Sequence, residues 1–194
     1  HWSRGLGDVY KRQDWKFIDD NPRDWEKGHI PGVDGAGVVV AVGEGVDNSL
    51  LGKRVAYHHS LGENGSFADH SEVYASRVMV VPESVDFALA AALPCPMLTA
   101  WQAFSKVPVR KGADVLVSGM GAVNKLLAQM LSQAGFNVHV ISGSFSQEQA
   151  DEMGVKAIHR GKPEGQTFYA LFDANGPDYA ASLVPLLEAN GHVV

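Results

Sequence analysis

The sequence predicts an α/β chain in two parts, a mostly β first part and a second part built on a parallel sheet. Three observations carry that prediction. Residues 115–142, VLVSGMGAVNKLLAQMLSQAGFNVHVIS, read as strand, glycine turn, amphipathic helix and strand. An alternation of strand and helix patterns then continues through residue 194. The earlier part is dense in glycine and carries short apolar runs, as a small, irregular β domain does.

In the βαβ unit, Val115–Val117 is an apolar strand and Gly119-Met120-Gly121 a turn. Val123, Leu126, Leu127, Met130, Leu131 and Ala134 follow at helical spacing. Gly135 stops the helix and Val138–Ile141 forms the next strand. Gly119 allows a tight turn, and Gly121 lets backbone amides approach a pyrophosphate. The helix N-terminus adds N–H donors and the positive end of its dipole. Gly119, Met120, Gly121, Ala122, Val123 and Asn124 are therefore the candidate dinucleotide-binding turn. Asn124 stands where the fingerprint carries a third small residue. Its side chain is expected either to tilt outward, toward the pyrophosphate, or to push the helix away. A doubly wound domain whose turn binds nothing is the alternative.

The first part begins with a polar, Pro-containing loop at 19–27. Gly28–Gly45 surrounds one apolar run, Val38–Val42. Val55–Tyr57 reads as a strand, and Ser66–Tyr74 and Arg77–Val81 continue the β pattern. Phe87–Phe104 is a helical connector expected to be interrupted by Pro94 and Pro96. After Ser142, Ser146-Gln147-Glu148-Gln149 is a capping box for a helix ending at Gly154. Val155–Ile158 and Phe168–Phe172 are further strands, and Asn175-Gly176-Pro177 lies in the loop that follows. Tyr179–Ala189 reads as a helix stopped by Asn190-Gly191 before a last strand.

Bulk properties narrow the function. The chain has 194 residues, 45% hydrophobic, with a net charge of −6 and no basic block, which argues against nucleic acid or an anionic membrane as partner. A single cysteine, Cys95, excludes an internal disulfide and fits a reducing, cytoplasmic setting. No apolar run reaches the roughly 20 residues of a membrane span. Ser3–Gln13, SRGLGDVYKRQ, resembles the translation of a sequencing-library adapter, so residues 1–13 are set aside as non-native. The expected domains are then 14–105, lacking its start, and 106–194, lacking its end.

Further motifs point to one family. Asp14-Trp15-Lys16 resembles the end of an NPxDWK segment. Pro31-Gly32-Val33-Asp34-Gly35-Ala36-Gly37-Val38 with Val42-Gly43 resembles PGxDxAGxV…VG. Gly52-Lys53-Arg54-Val55, Gly65-Ser66-Phe67-Ala68, Leu93-Pro94 and Leu98-Thr99-Ala100-Trp101 fit its later elements, as do Asp173 with Gly176 and Gly191-His192-Val193. Together they resemble the medium-chain dehydrogenase/reductase superfamily, from Asp14 onward. The resemblance implies a GroES-like β-barrel followed by a Rossmann domain, truncated here. Zinc-dependent members carry GHE where this chain has Gly32-Val33-Asp34, so the ligand histidine is replaced by Val33. The structural zinc lobe needs four cysteines. Adjacent His58 and His59 on a strand point to opposite faces. The chain thus resembles the zinc-independent quinone oxidoreductase and enoyl reductase branch, and no metal is expected.

That branch implies hydride transfer from a nicotinamide to an activated alkene, quinone or carbonyl compound. Lys16 becomes the candidate carbonyl-polarising donor, Thr99 the residue facing the nicotinamide, and Tyr57 and His58 candidates for the substrate cleft. Ser142 and Ser144 stand at the end of the second strand, where an acidic residue would bind a ribose 2′-OH and repel a phosphate. Two hydroxyls there favour NADPH over NADH, although the expected helper cation is absent from the following turn, which carries Gln147 and Gln149. Asn175 completes the candidate cofactor set. The expected partners are a small-molecule substrate and, through the nucleotide domain, a second copy in a homodimer. A non-catalytic NADPH-binding protein and a metal-free alcohol dehydrogenase are the alternatives.

Overall fold

The computed structural model describes residues 24–194 together with residues 18 and 19. Residues 1–13 and Asp14-Trp15-Lys16 lie outside the described residues, and Lys16 with them. The chain forms two compact units, His1–Cys95 and Pro96–Val194.

In the first unit, β1 (Asp34–Val38), β2 (Arg54–His58) and β3 (Val78–Val80) form an antiparallel sheet in that order. β1 lies earlier than the apolar run suggested, through Asp34-Gly35-Ala36-Gly37. The reason is a close cross-strand fit. Tyr57 sits opposite Gly35, and a Cβ on Gly35 would lie 2.3 Å from the Tyr57 hydroxyl. Residues 66–74 do not form the expected strand. Gly65, Ser66 and Phe67 instead donate backbone N–H bonds to Ile30, Gly32 and Pro31. α1 (Phe87–Ala92) starts at Asp86, whose carboxylate accepts from the Leu89 N–H at 2.9 Å. It lays Ala90 and Ala91 on Ala36 and Ala56, a contact made only of methyl groups, so helix and sheet approach closely.

α2 (Pro94–Ser105) begins at the prolines rather than being broken by them. In a first helical turn the missing proline N–H costs no intrahelical bond. The division between the units falls inside this helix, earlier than the expected boundary at 105.

The second unit continues with β4 (Asp114–Ser118), α3 (Ala122–Gln133), β5 (Asn137–Ile141), α4 (Gln147–Met153), β6 (Val155–His159), β7 (Phe168–Asp173), α5 (Pro177–Leu183) and β8 (Leu187–Val193). Its strands are parallel in the order β6-β5-β4-β7-β8. Val115, Val117, Val138 and Val140 face Leu127 and Leu131 of α3. Leu116, Phe168 and Leu171 face Leu183 of α5. Both faces are covered, which is why β4 reads as a continuous apolar run. Each such buried side chain contributes about 1.5–3 kcal/mol. The Ser146 capping box forms as expected, with Gly154 in the left-handed conformation at the other end of α4.

The last helix differs from expectation. α5 stops at Leu183, a single 3-10 turn covers Val184–Leu186, and Leu187–Ala189 already belongs to β8. Pro185 cannot donate to a preceding carbonyl, and this ends the helix. Asn190, at φ 65°, marks an irregularity in β8 rather than a helix stop, and the β7–β8 register shifts there.

Candidate functional site

The parallel sheet brings four loops to its carboxyl edge, one after each of β6, β5, β4 and β7. Ligands of open α/β sheets bind at this edge. The turn after β4 is held from both sides. Gly119 adopts φ 80°, and a Cβ there would lie 3.1 Å from the Asn175 amide oxygen. Asn175 in turn donates to Ser118 Oγ at 2.6 Å, and Ser118 donates to Asp173 Oδ1 at 2.5 Å. Asp173 Oδ2 accepts the backbone N–H groups of Asn175 and Gly176. The loop after β7 therefore braces the glycine turn.

Gly121 is the N-cap of α3, and a Cβ added to it meets nothing within 4 Å. Open space over the first turn of a twelve-residue helix fits a pyrophosphate. Gly121 and Ala122 are exposed there, while Met120 and Val123 pack against the core. Asn124 follows neither expected course. It is buried, and its Nδ2 donates to the carbonyls of Ser118 and Gly119 at 3.0 and 2.8 Å. Its amide ties the helix to the turn instead of reaching toward a ligand.

After β5, Ser142 donates its N–H to the His159 carbonyl, and its Oγ accepts from the Phe145 N–H at 3.2 Å. Ser144 is exposed at the tip, and Phe145 anchors the loop in the core. Arg160, which follows β6, donates to the Ser142 carbonyl at 2.6 Å and to the Phe145 carbonyl at 2.8 Å. A cation thus reaches this loop from just beyond the end of the neighbouring strand.

The first unit holds a different cluster. Asp34 is fully buried, and its Oδ1 lies 2.7 Å from His58 Nδ1, directly across the β1–β2 ladder. The same oxygen accepts the Cys95 backbone N–H at 3.2 Å. A carboxylate oxygen of Asp34, a ring nitrogen of His58 and Cys95 Sγ all lie within 4.8 Å of one another. His59 turns to the other face, toward Glu63 and Tyr57. Tyr57 is 2% exposed, with its ring over Gly35, so its place is the interior of the unit rather than a strand end. Thr99 lies on the exposed side of α2, next to buried Ala100.

The donor set Asp34, His58 and Cys95 offers oxygen, nitrogen and sulfur, which fits a zinc ion left with an open position. Val33, where zinc-dependent relatives carry the ligand histidine, is buried at 3% exposure and supplies no donor. His58 and His59 face opposite sides of the strand, as expected of adjacent strand residues. His58 converges with Asp34 and Cys95, not with His59.

Residues 9–83 match the alcohol dehydrogenase GroES-like domain. A zinc-type alcohol dehydrogenase-like protein of Schizosaccharomyces pombe is 32% identical over 136 residues, covering 59% of this chain and 39% of its own length. In these matches the chain resembles members of the medium-chain dehydrogenase/reductase superfamily. A trans-enoyl reductase of Penicillium oxalicum, 31% identical over 169 residues, covers 74% of the chain, which spans 45% of that relative. The solved structure of an alcohol dehydrogenase superfamily protein from Novosphingobium aromaticivorans covers 94% of the chain at 26% identity and a TM-score of 0.82. This chain covers 60% of that structure. The chain thus spans less than half the length of these curated relatives. Among the described residues no helix is long and apolar enough to cross a membrane.

Proposed function

We propose that this chain is an NADPH-dependent oxidoreductase that transfers hydride to an activated alkene, quinone or carbonyl compound without zinc. The observation that carries the reading is the braced glycine turn, with open space over Gly121 at the carboxyl edge of a parallel sheet. A bound nicotinamide supplies the hydride. The turn at Gly119–Val123 holds the pyrophosphate through backbone N–H groups, and Ser142 and Ser144 receive the adenosine ribose. Thr99 faces the nicotinamide and Lys16 polarises the substrate carbonyl, as the family resemblance implies.

His58 is the proton donor that completes reduction. The proton given is the Nε2–H of the imidazolium form, in which Asp34, acceptor-only when ionised, accepts the Nδ1–H and orients the ring. Asp34 is therefore a positioning residue. NADPH oxidation followed against quinones, enones and aldehydes tests the reading. Turnover on one class, with His58→Ala losing roughly 100-fold in kcat, agrees with general-acid catalysis. NADPH binding without turnover on any class would leave a non-catalytic NADPH-binding protein.

One observation favours a second reading. The convergence of Asp34, His58 and Cys95 would hold a zinc ion and make the reaction that of a metal-assisted alcohol dehydrogenase. Metal analysis separates the two. Less than a tenth of an equivalent of zinc in active protein supports metal-free hydride transfer, whereas a full equivalent lost in Cys95→Ser replaces it.

A further inference from the structure

We infer that Arg160 reads the 2′-phosphate of NADPH and sets the preference of this chain for NADPH over NADH. The inference rests on the nicotinamide reading above and adds a residue that no sequence motif assigns. Three features of the carboxyl edge carry it.

The first is position. His159 pairs with Ile141, so Arg160 and Ser142 are the residues that leave β6 and β5 side by side. Adjacent strands are about 4.8 Å apart, which places the end of β6 roughly 10 Å from the glycine turn after β4. A dinucleotide with its pyrophosphate at Gly119–Val123 runs its adenosine ribose along this edge, over the end of β5. The 2′ position then faces the next strand end, where Arg160 stands.

The second is orientation. The guanidinium donates to the carbonyls of Ser142 and Phe145, so it is held flat along the loop that would carry the ribose. Those two bonds use two of its five N–H donors and leave three for an incoming acceptor. The side chain is exposed, so a phosphate reaches it without rearranging the core. A planar, fixed fork of this kind suits phosphate oxygens.

The third is the chemistry of the loop itself. Residues 142–147 contain no carboxylate. The Ser142 oxygen is occupied as an acceptor by the Phe145 N–H, so its hydroxyl proton is directed elsewhere and can donate. Ser144 adds a second, exposed hydroxyl. Two hydroxyl donors beside one anchored cation form a site for a dianion, and they offer a bare 2′-OH no carboxylate acceptor. Glu148, one turn further on, is the nearest acidic residue in the sequence.

Binding titrations followed by protein fluorescence, with NADPH and NADH in parallel, test the inference without reference to turnover. The chain is expected to bind NADPH more tightly than NADH, and Arg160→Gln to lose roughly 10- to 100-fold in NADPH affinity with NADH affinity within about twofold. Arg160→Lys, which keeps the charge but not the fork, recovers part of the loss. The NADPH preference also shrinks as salt rises, in step with screening of a charge contact. Equal losses for both nucleotides in Arg160→Gln would mean that the guanidinium only shapes the loop, and would overturn the inference. An unchanged preference in the variant overturns it as well, while leaving the nicotinamide reading in place. A parent chain that binds neither nucleotide removes that reading itself.

Discussion

Asn124 occupies the place of a small residue in the dinucleotide fingerprint, yet its amide nitrogen bonds the carbonyls of Ser118 and Gly119. Both acceptors belong to the turn that holds Gly119 at φ 80°. Replacing it with alanine leaves two carbonyls without this donor in a buried place. Asn124→Ala is expected to cost about 1–3 kcal/mol, read from urea unfolding, and to weaken NADPH binding through the loosened turn. Gly35 makes a similar point in the first unit. Its added Cβ would overlap the Tyr57 ring, so Gly35→Ala should lower stability by about 1–3 kcal/mol in the same assay. Both glycine turn and asparagine are visible in the sequence, because they sit within six residues of each other. Arg160 is not, since 18 residues separate it from Ser142 and only strand pairing brings them together. Asp34, His58 and Cys95 were hidden for the same reason. They come from β1, β2 and the start of α2, and no local spacing signals their convergence.

At the scale of elements, β4, β5 and β6 share a polar line across the sheet, buried at His139 and half-buried at Asp114 and His159. His139 on β5 lies 3.0 Å from Asp114 on β4 and 3.1 Å from His159 on β6. His139 Nε2 also lies 3.2 Å from the Gln166 side-chain amide nitrogen, so the ring is contacted on both nitrogens. Burial holds both histidines below their ordinary values. The Asp114 hydrogen bond partly offsets this for His139, and the neighbouring His139 lowers His159 further. Burial pushes Asp114 up, but Lys156 and His139 outweigh it and hold the carboxylate below its usual range. The sign for stability follows from the lowered histidines. The unfolded chain takes up protons first as pH falls below about 6.5, so stability is full above that value and declines beneath it. Thermal unfolding between pH 7.5 and 5.5 should show a falling Tm. His139→Gln, which keeps a donor for Asp114 but does not titrate, should flatten that fall. An equally steep decline in the variant would assign the effect elsewhere. The strand ends illustrate what spacing alone misses. Val184 and Leu187 have helical spacing, but Pro185 between them turns Leu187 into the first residue of β8.

For the whole molecule, the order of elements in the second unit was legible because strand and helix alternate with clear glycine and capping signals. In the first unit β2 and β3 were placed closely but β1 was not, since small, glycine-rich strands carry little periodicity and their positions follow from tertiary fits such as Tyr57 over Gly35. The proposed function rests on the edge that the parallel sheet creates rather than on any one motif. Its most direct test is equilibrium binding of NADPH to the chain and to Gly121→Val. A valine at position 121 has room, with nothing within 4 Å of its Cβ, and the backbone there is extended, so the fold is expected to persist. The side chain would fill the space assigned to the pyrophosphate. Saturable NADPH binding by the parent chain, lost at least tenfold in a variant of unchanged thermal stability, is the predicted result. Equal affinity in both proteins, or no saturable binding in the parent, would contradict the account.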